Sequence, residues 1–199
     1  MGKNNPDLKN VITVVSGLPR SGTSMMMQML KAGGMEIVTD EIRKPDEDNP
    51  RGYFEFERVK KLQEDNSWLG ECQGKAIKII SVFLFYLPDN YLYKIIFMQR
   101  EMEEVLASQK VMLKRRGQQS EEISDSEIAW KFSEHLKQVG DWLIKQKNME
   151  VLYLKYNEII KNPLYYSKIV NEFLGEKLKE KNMVEAIADS LYRQRKMAI

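Results

Sequence analysis

The sequence predicts an α/β fold: a parallel β-sheet of about five strands flanked by helices on both faces. Three observations predict it. Apolar runs rich in Val, Ile, Leu, Phe and Tyr alternate with helical patterns along the 199 residues. Those runs are nearly continuous, as expected of strands covered on both sides. The first of them, Val11-Ile12-Thr13-Val14-Val15, passes through a glycine turn straight into a helical stretch.

The elements follow in order. Strands are expected at 11–16, 35–38, 75–80, 93–99 and 151–156. Helices are expected at 23–33, 53–65, 101–116, 124–147, 164–174 and 181–191. Thr23 or Ser24 would cap the first helix, and Met25, Met26, Met27 and Met29 would pack in the core. In the second, Tyr53, Phe56 and Val59 form the buried stripe at helical spacing and Glu55 lies off it. Ser124, with Glu127 three residues on, makes a capping box for the fourth. Trp68, Trp130 and Trp142 read as buried. Two charged linkers, Thr39 to Gly52 and Arg115 to Ser126, read as surface loops. In such sheets ligands bind beyond the carboxyl ends of the strands.

Composition sets bounds. The length suits one domain, residues 1–199, with its own core. Hydrophobic residues are 43% and charged residues 30%, which reads as globular. A formal net charge of +2 predicts no strong pull on nucleic acid or anionic membrane. One cysteine, Cys72, gives no internal disulfide framework and fits a reducing, cytoplasmic setting. One histidine, His135, gives no Cys/His zinc cluster. The opening MGKNNPDLKN does not read as a secretory signal, Pro6 spoils a myristoylation match at Gly2, and Ile79 to Leu87 is too short to span a bilayer.

The segment Gly17-Leu18-Pro19-Arg20-Ser21-Gly22-Thr23-Ser24 carries the most chemistry. Its spacing is that of the nucleotide-phosphate loop G-x-x-x-x-G-K-[ST], so the sheet is of the P-loop type. The glycines permit a tight turn, and the helix start aims N–H groups at an anion. Thr23 stands where a nucleoside-triphosphate loop has lysine, and the cation sits inside the loop at Arg20. Strand ends offer no obvious metal-binding aspartate except Asp40, so the cradle suits an anionic ligand with no metal. At the end of the fourth strand stands Arg100. Ser108 follows on the next helix, about 12 Å along it, within reach of the same anion. Ser108 shares a mostly apolar face with Val105 and Met112, and its hydroxyl needs either a backbone carbonyl or a ligand.

These segments together resemble the sulfotransferase superfamily, whose donor is 3′-phosphoadenosine 5′-phosphosulfate (PAPS). Pro19-Arg20-Ser21-Gly22-Thr23-Ser24 is similar to the family's 5′-phosphosulfate loop. Arg100 and Ser108 have the spacing of its 3′-phosphate site. Lys78 lies on the strand that the family ends with a K-T-H-type triplet. The run from Val151 through Tyr156, Asn157, Asn162 and Pro163 to Phe173-Leu174-Gly175 resembles its Y-E-D-L…N-P…F-L-G segment. The resemblance spans residues 11 to 175 and implies roles. Amides of Ser21, Gly22, Thr23 and Ser24 would hold the phosphosulfate. Arg20 would neutralise charge on the bridging oxygen. Arg100 and Ser108 would bind the 3′-phosphate, and Tyr156 would sit near the adenine. The acceptor would be a small-molecule or saccharide-like hydroxyl or amine.

The chain departs from that pattern twice. The triplet reads Lys78-Ile79-Ile80, so Ile80 replaces the histidine base, while Lys78 would steady the sulfuryl oxygens. Glu55 is the first substitute as base and His135 the second. The family's C-terminal R-K-G-x-x-G motif is incomplete, with Arg193, Arg195 and Lys196 in its place. Two other function classes share the loop. A nucleotide-kinase-like phosphotransferase would respond to ATP with magnesium. A catalytically impaired nucleotide-binding module would bind the donor and transfer nothing.

Overall fold

The computed structural model describes residues 7–40, 42–46, 49, 52–115, 117 and 124–187. The five expected strands form one sheet: β1 (Val11–Gly17), β2 (Ile37–Val38), β3 (Ala76–Lys78), β4 (Leu92–Gln99) and β5 (Met149–Lys155). Their order is β2-β3-β1-β4-β5, and every pairing is parallel. Register sets Val14 between Ile77 and Ile95, and brings Gly17 level with Met98.

The helices are α1 (Thr23–Ala32), α2 (Met102–Arg115), α3 (Asp125–Leu143), α4 (Tyr156–Lys161), α5 (Pro163–Phe173) and α6 (Glu180–Glu185). Side chains alternate across a strand, so each central strand feeds two cores. Ile12, Val14, Ile77, Ile95 and Phe97 meet Val139 and Leu143 of α3 on one face. Val15, Ala76, Ile96 and Met98 meet Met26, Met27, Met29 and Leu30 of α1 on the other, with Ile159 and Val170. Burial of each such side chain contributes about 1.5–3 kcal/mol. Every residue of β1 is buried, whereas Glu150, Tyr153 and Lys155 of β5 are exposed. The expectation of two-sided burial fails there because β5 is an edge strand.

Ser124 caps α3 as expected, accepting from the Glu127 amide at 3.3 Å. The helix expected at 53–65 is absent. Only Glu57–Lys61 turns, as a 3-10 helix, after an irregular stretch at 52–56. Gly52 and Phe54 take positive φ values of 93° and 52°. The Thr39 hydroxyl and the Asp40 amide both bond the Glu55 carbonyl, at 2.9 and 3.2 Å. Those bonds hold the stretch against β2's exit and leave its carbonyls unavailable to a helix. The fifth strand stops one residue early, and Tyr156 opens α4. Pro163, whose missing N–H costs nothing at a first turn, opens α5. The expected helix at 181–191 ends at Glu185, and Arg193, Arg195 and Lys196 lie outside the described residues, as do Gly2 and Pro6. Trp68 is buried, but Trp130 is 64% exposed on the outer face of α3, against expectation. Among the described residues, no helix is long and apolar enough to cross a membrane.

Candidate functional site

The turn after β1 is built on left-handed residues. Gly17, Arg20 and Gly22 have φ of 141°, 71° and 100°. Gly22 is the N-cap of α1 and no side chain caps that helix, so neither Thr23 nor Ser24 acts as the cap. The first-turn N–H groups of α1 therefore face the turn. The Ser21 amide instead donates to the Leu18 carbonyl at 3.2 Å, and its side chain is buried. Gly22 lies flat against Tyr156. A Cβ there would sit 2.4 Å from the Tyr156 Cδ2 atom. Gly22→Ala therefore meets both a clash and a disfavoured φ, and a loss of at least about 2 kcal/mol is expected in urea unfolding. An unchanged midpoint would show that the ring moves aside freely.

A cleft of about 420 Å³ opens over the carboxyl ends of the strands, with Arg20, Thr23, Ser24, Arg100, Ser108 and Tyr156 on its walls. Arg20 Nε donates to Ser108 Oγ at 2.9 Å. The Ser108 hydroxyl thus finds an arginine, not a carbonyl of the preceding turn. Arg100 Nη1 donates to the Arg20 carbonyl at 3.2 Å, and its guanidinium lies 4.6 Å from the Tyr156 ring centroid. Glu104, unnoticed in the sequence, receives Arg100 Nε at 2.8 Å and the Asn157 amide at 3.3 Å. The two arginines, which stand in separate motifs of the sequence, so form one cationic wall.

Glu55 and Lys78 also line this cleft, as do Arg43 and Tyr53. The Lys78 ammonium is buried, donates to the Tyr53 carbonyl and lies 3.6 Å from Glu55 Oε1. Burial pushes its pKa down to about 8, and the Glu55 carboxylate opposes that fall. Arg43 Nη1 pairs with Glu55 at 2.8 Å, and its guanidinium lies over the Tyr53 ring, 3.2 Å from the centroid. Nothing local in the charged linker marks Arg43, because its partner is made by the fold. Glu55 is thus a paired, partly buried carboxylate facing the cleft. Ile80 lines the cleft too, with Phe56, Val59 and Phe83.

His135 does not line the cleft. Its Nε2 is 2.8 Å from Ser81 Oγ, its ring packs edge-on near Phe85, and burial lowers its pKa. Asp40 accepts from the amides of Ile42 and Glu57 and so braces the linker. Among the described residues, no group of three or more His, Cys, Asp or Glu is arranged to hold a metal ion.

A parallel sheet in this order, with a glycine turn from its middle strand into a helix, defines a P-loop-type α/β protein, and the helix start at that turn is suited to an anionic ligand. The sulfotransferase domain family matches residues 12–197, and the chain belongs to that family. Solved structures share the fold. Mouse sulfotransferase SULT7A1 complexed with PAP is 16% identical, with a TM-score of 0.52 over 89% of this chain and 62% of that one. The sulfotransferase domain from the Synechococcus PCC 7002 olefin synthase is 14% identical, with a TM-score of 0.53 over 98% of this chain and 86% of that one. The chain therefore spans less than two thirds of the mouse protein. No curated sequence matches it.

Proposed function

We propose that residues 1–199 act as a single cytoplasmic sulfotransferase domain that takes PAPS as donor and a small hydroxyl or amine compound as acceptor. One observation carries the reading: Arg20, Ser108 and Arg100 are joined by contacts of 2.9 and 3.2 Å on one wall of one cleft. A nucleotide with anionic groups on both its 5′ and 3′ sides fits two arginines, a buried serine hydroxyl and the first turn of a helix. Such a donor supplies the sulfuryl group when bound.

The chain's own residues would then divide the work. The amides of Gly22, Thr23 and Ser24 hold the 5′ end, with Ser21 shaping the turn. Arg100 and Ser108 hold the 3′-phosphate, and the Tyr156 ring lies beneath the nucleoside. Arg20 and Lys78 stabilise charge that builds on the departing oxygen and on the sulfuryl group, as fixed cations do in phosphoryl transfer. Glu55 accepts the acceptor's proton in place of the missing histidine. The carbon-rich walls at Phe56, Val59, Ile80 and Phe83 suit a small apolar alcohol or amine better than a polysaccharide.

The test is a thermal-shift comparison of adenosine 3′,5′-bisphosphate (PAP), AMP and ATP with magnesium. The bisphosphate is expected to stabilise the protein most. Arg100→Ala is expected to erase its advantage over AMP, about tenfold in affinity for a lost charge-assisted contact. Equal responses to AMP and the bisphosphate in wild type would remove the 3′-phosphate assignment. A larger response to ATP with magnesium would favour a phosphotransferase. Bisphosphate binding without transfer to any alcohol or amine would mark an impaired module.

A further inference from the structure

The stretch from Tyr53 to Glu55 bends where an L-residue resists bending. Phe54 has φ of 52° and is buried, a region that glycine or asparagine normally supplies. Both of its neighbours are in use. The Tyr53 carbonyl receives the Lys78 ammonium and also the Ser24 hydroxyl, at 3.3 Å, from the first turn of α1. The Glu55 carboxylate lies 3.6 Å from the same ammonium. The Glu55 carbonyl is fixed from behind by Thr39 and Asp40. Returning Phe54 to negative φ would rotate everything after it relative to everything before it. One of the two contacts to Lys78 would then be lost. Strain of this kind persists only where the surroundings hold it, and it gathers at functional sites.

We propose that Phe54 is a positioning residue: a left-handed elbow that points the Tyr53 carbonyl and the Glu55 carboxylate at one Lys78 ammonium, with the Tyr53 carbonyl also held to the donor loop by Ser24. The inference rests on reading the cleft as the donor site. It adds that the left-handed backbone at 54, which the buried ring helps to hold and does not replace, sets where Lys78 meets the sulfuryl oxygens.

Phe54→Gly and Phe54→Ala separate the two roles. Both remove the ring, and only alanine resists the left-handed backbone. Affinities for PAP and for PAPS would be measured by calorimetry without acceptor. The sulfuryl oxygens exist only in PAPS, so the ratio of the two affinities reports on Lys78. The glycine variant is expected to keep the wild-type ratio. Alanine and phenylalanine bear the same left-handed cost, but alanine lacks the buried ring that helps hold the bend, so the alanine variant is expected to relax and lose about fivefold of the PAPS preference. Affinity for PAP is expected to change less than affinity for PAPS in the alanine variant, because the Ser24 contact bears on both nucleotides alike. Equal losses in the two variants, no loss in alanine, or a larger loss in glycine would overturn the elbow. Should loss of the ring unfold the protein, Phe54→Asn, which tolerates the left-handed region, compared with Phe54→Val gives the same contrast. Wild type that binds neither nucleotide would sink the donor reading instead.

Discussion

Glu104→Ala is expected to destabilise the protein by about 3–5 kcal/mol, the usual consequence of stripping one partner from a buried ion pair. The Glu104 and Arg100 side chains are 3% and 7% exposed, and they meet at 2.8 Å. Removing the carboxylate leaves a buried guanidinium without its neutralising charge at Nε, and also takes the acceptor from the Asn157 side-chain amide. Glu104→Gln keeps the shape and an acceptor oxygen, so its loss is expected to be smaller. Urea unfolding of the three proteins measures this. A drop below about 1 kcal/mol in the alanine variant would mean that Arg100 finds another partner or water at little cost. The pair also bears on function, because Glu104 fixes the arginine assigned to the 3′-phosphate.

Lys78→Met is expected to raise stability while removing transfer. The Lys78 pKa is lowered from 10.5 to about 8. The folded state therefore releases this proton more readily than the unfolded chain does. Burying the ammonium costs stability in full below pH 8, and the cost fades as pH climbs from 8 towards 10.5. The cost is roughly 3 kcal/mol at neutral pH. Methionine fills similar space without a charge, so the variant should unfold later at pH 7, with the difference closing near pH 10. That cost is already net of the Glu55 attraction, and Arg43 still pairs with that carboxylate in the variant. Transfer should fall by about 10²–10³, as when one fixed donor is removed from a developing charge. Unfolding curves at pH 7 and pH 10 decide the first part. A variant less stable than wild type at pH 7 would show that the Tyr53 and Glu55 contacts outweigh desolvation.

Most of the sheet was legible because its central strands are short, apolar runs with few charges, and the phosphate loop is one contiguous string. That Arg100 and Ser108 face one cleft was legible because a strand end and the next helix fix their separation. The segment around Glu55 was misread for a physical reason. Tyr53, Phe56 and Val59 mimic a helical stripe, yet Phe54 is buried like Tyr53 and Val59 while Phe56 is only partly buried, and long-range bonds from Thr39 and Asp40 decide the backbone. Arg43 and Glu104 were missed because a charge reveals its partner only after the chain has folded. Ser108 likewise found Arg20, 88 residues away, where local reasoning offered a carbonyl in the same helix.

The contact between Gly22 and Tyr156 bears on how the protein is made. The ring that backs the glycine turn belongs to a residue translated long after it. While the chain emerges from the ribosome, the turn has sequence but no backing. The backing arrives only when β5 docks beside β4 and brings the tyrosine that follows it. A nascent chain halted before that point would carry the whole motif without the ring that supports it.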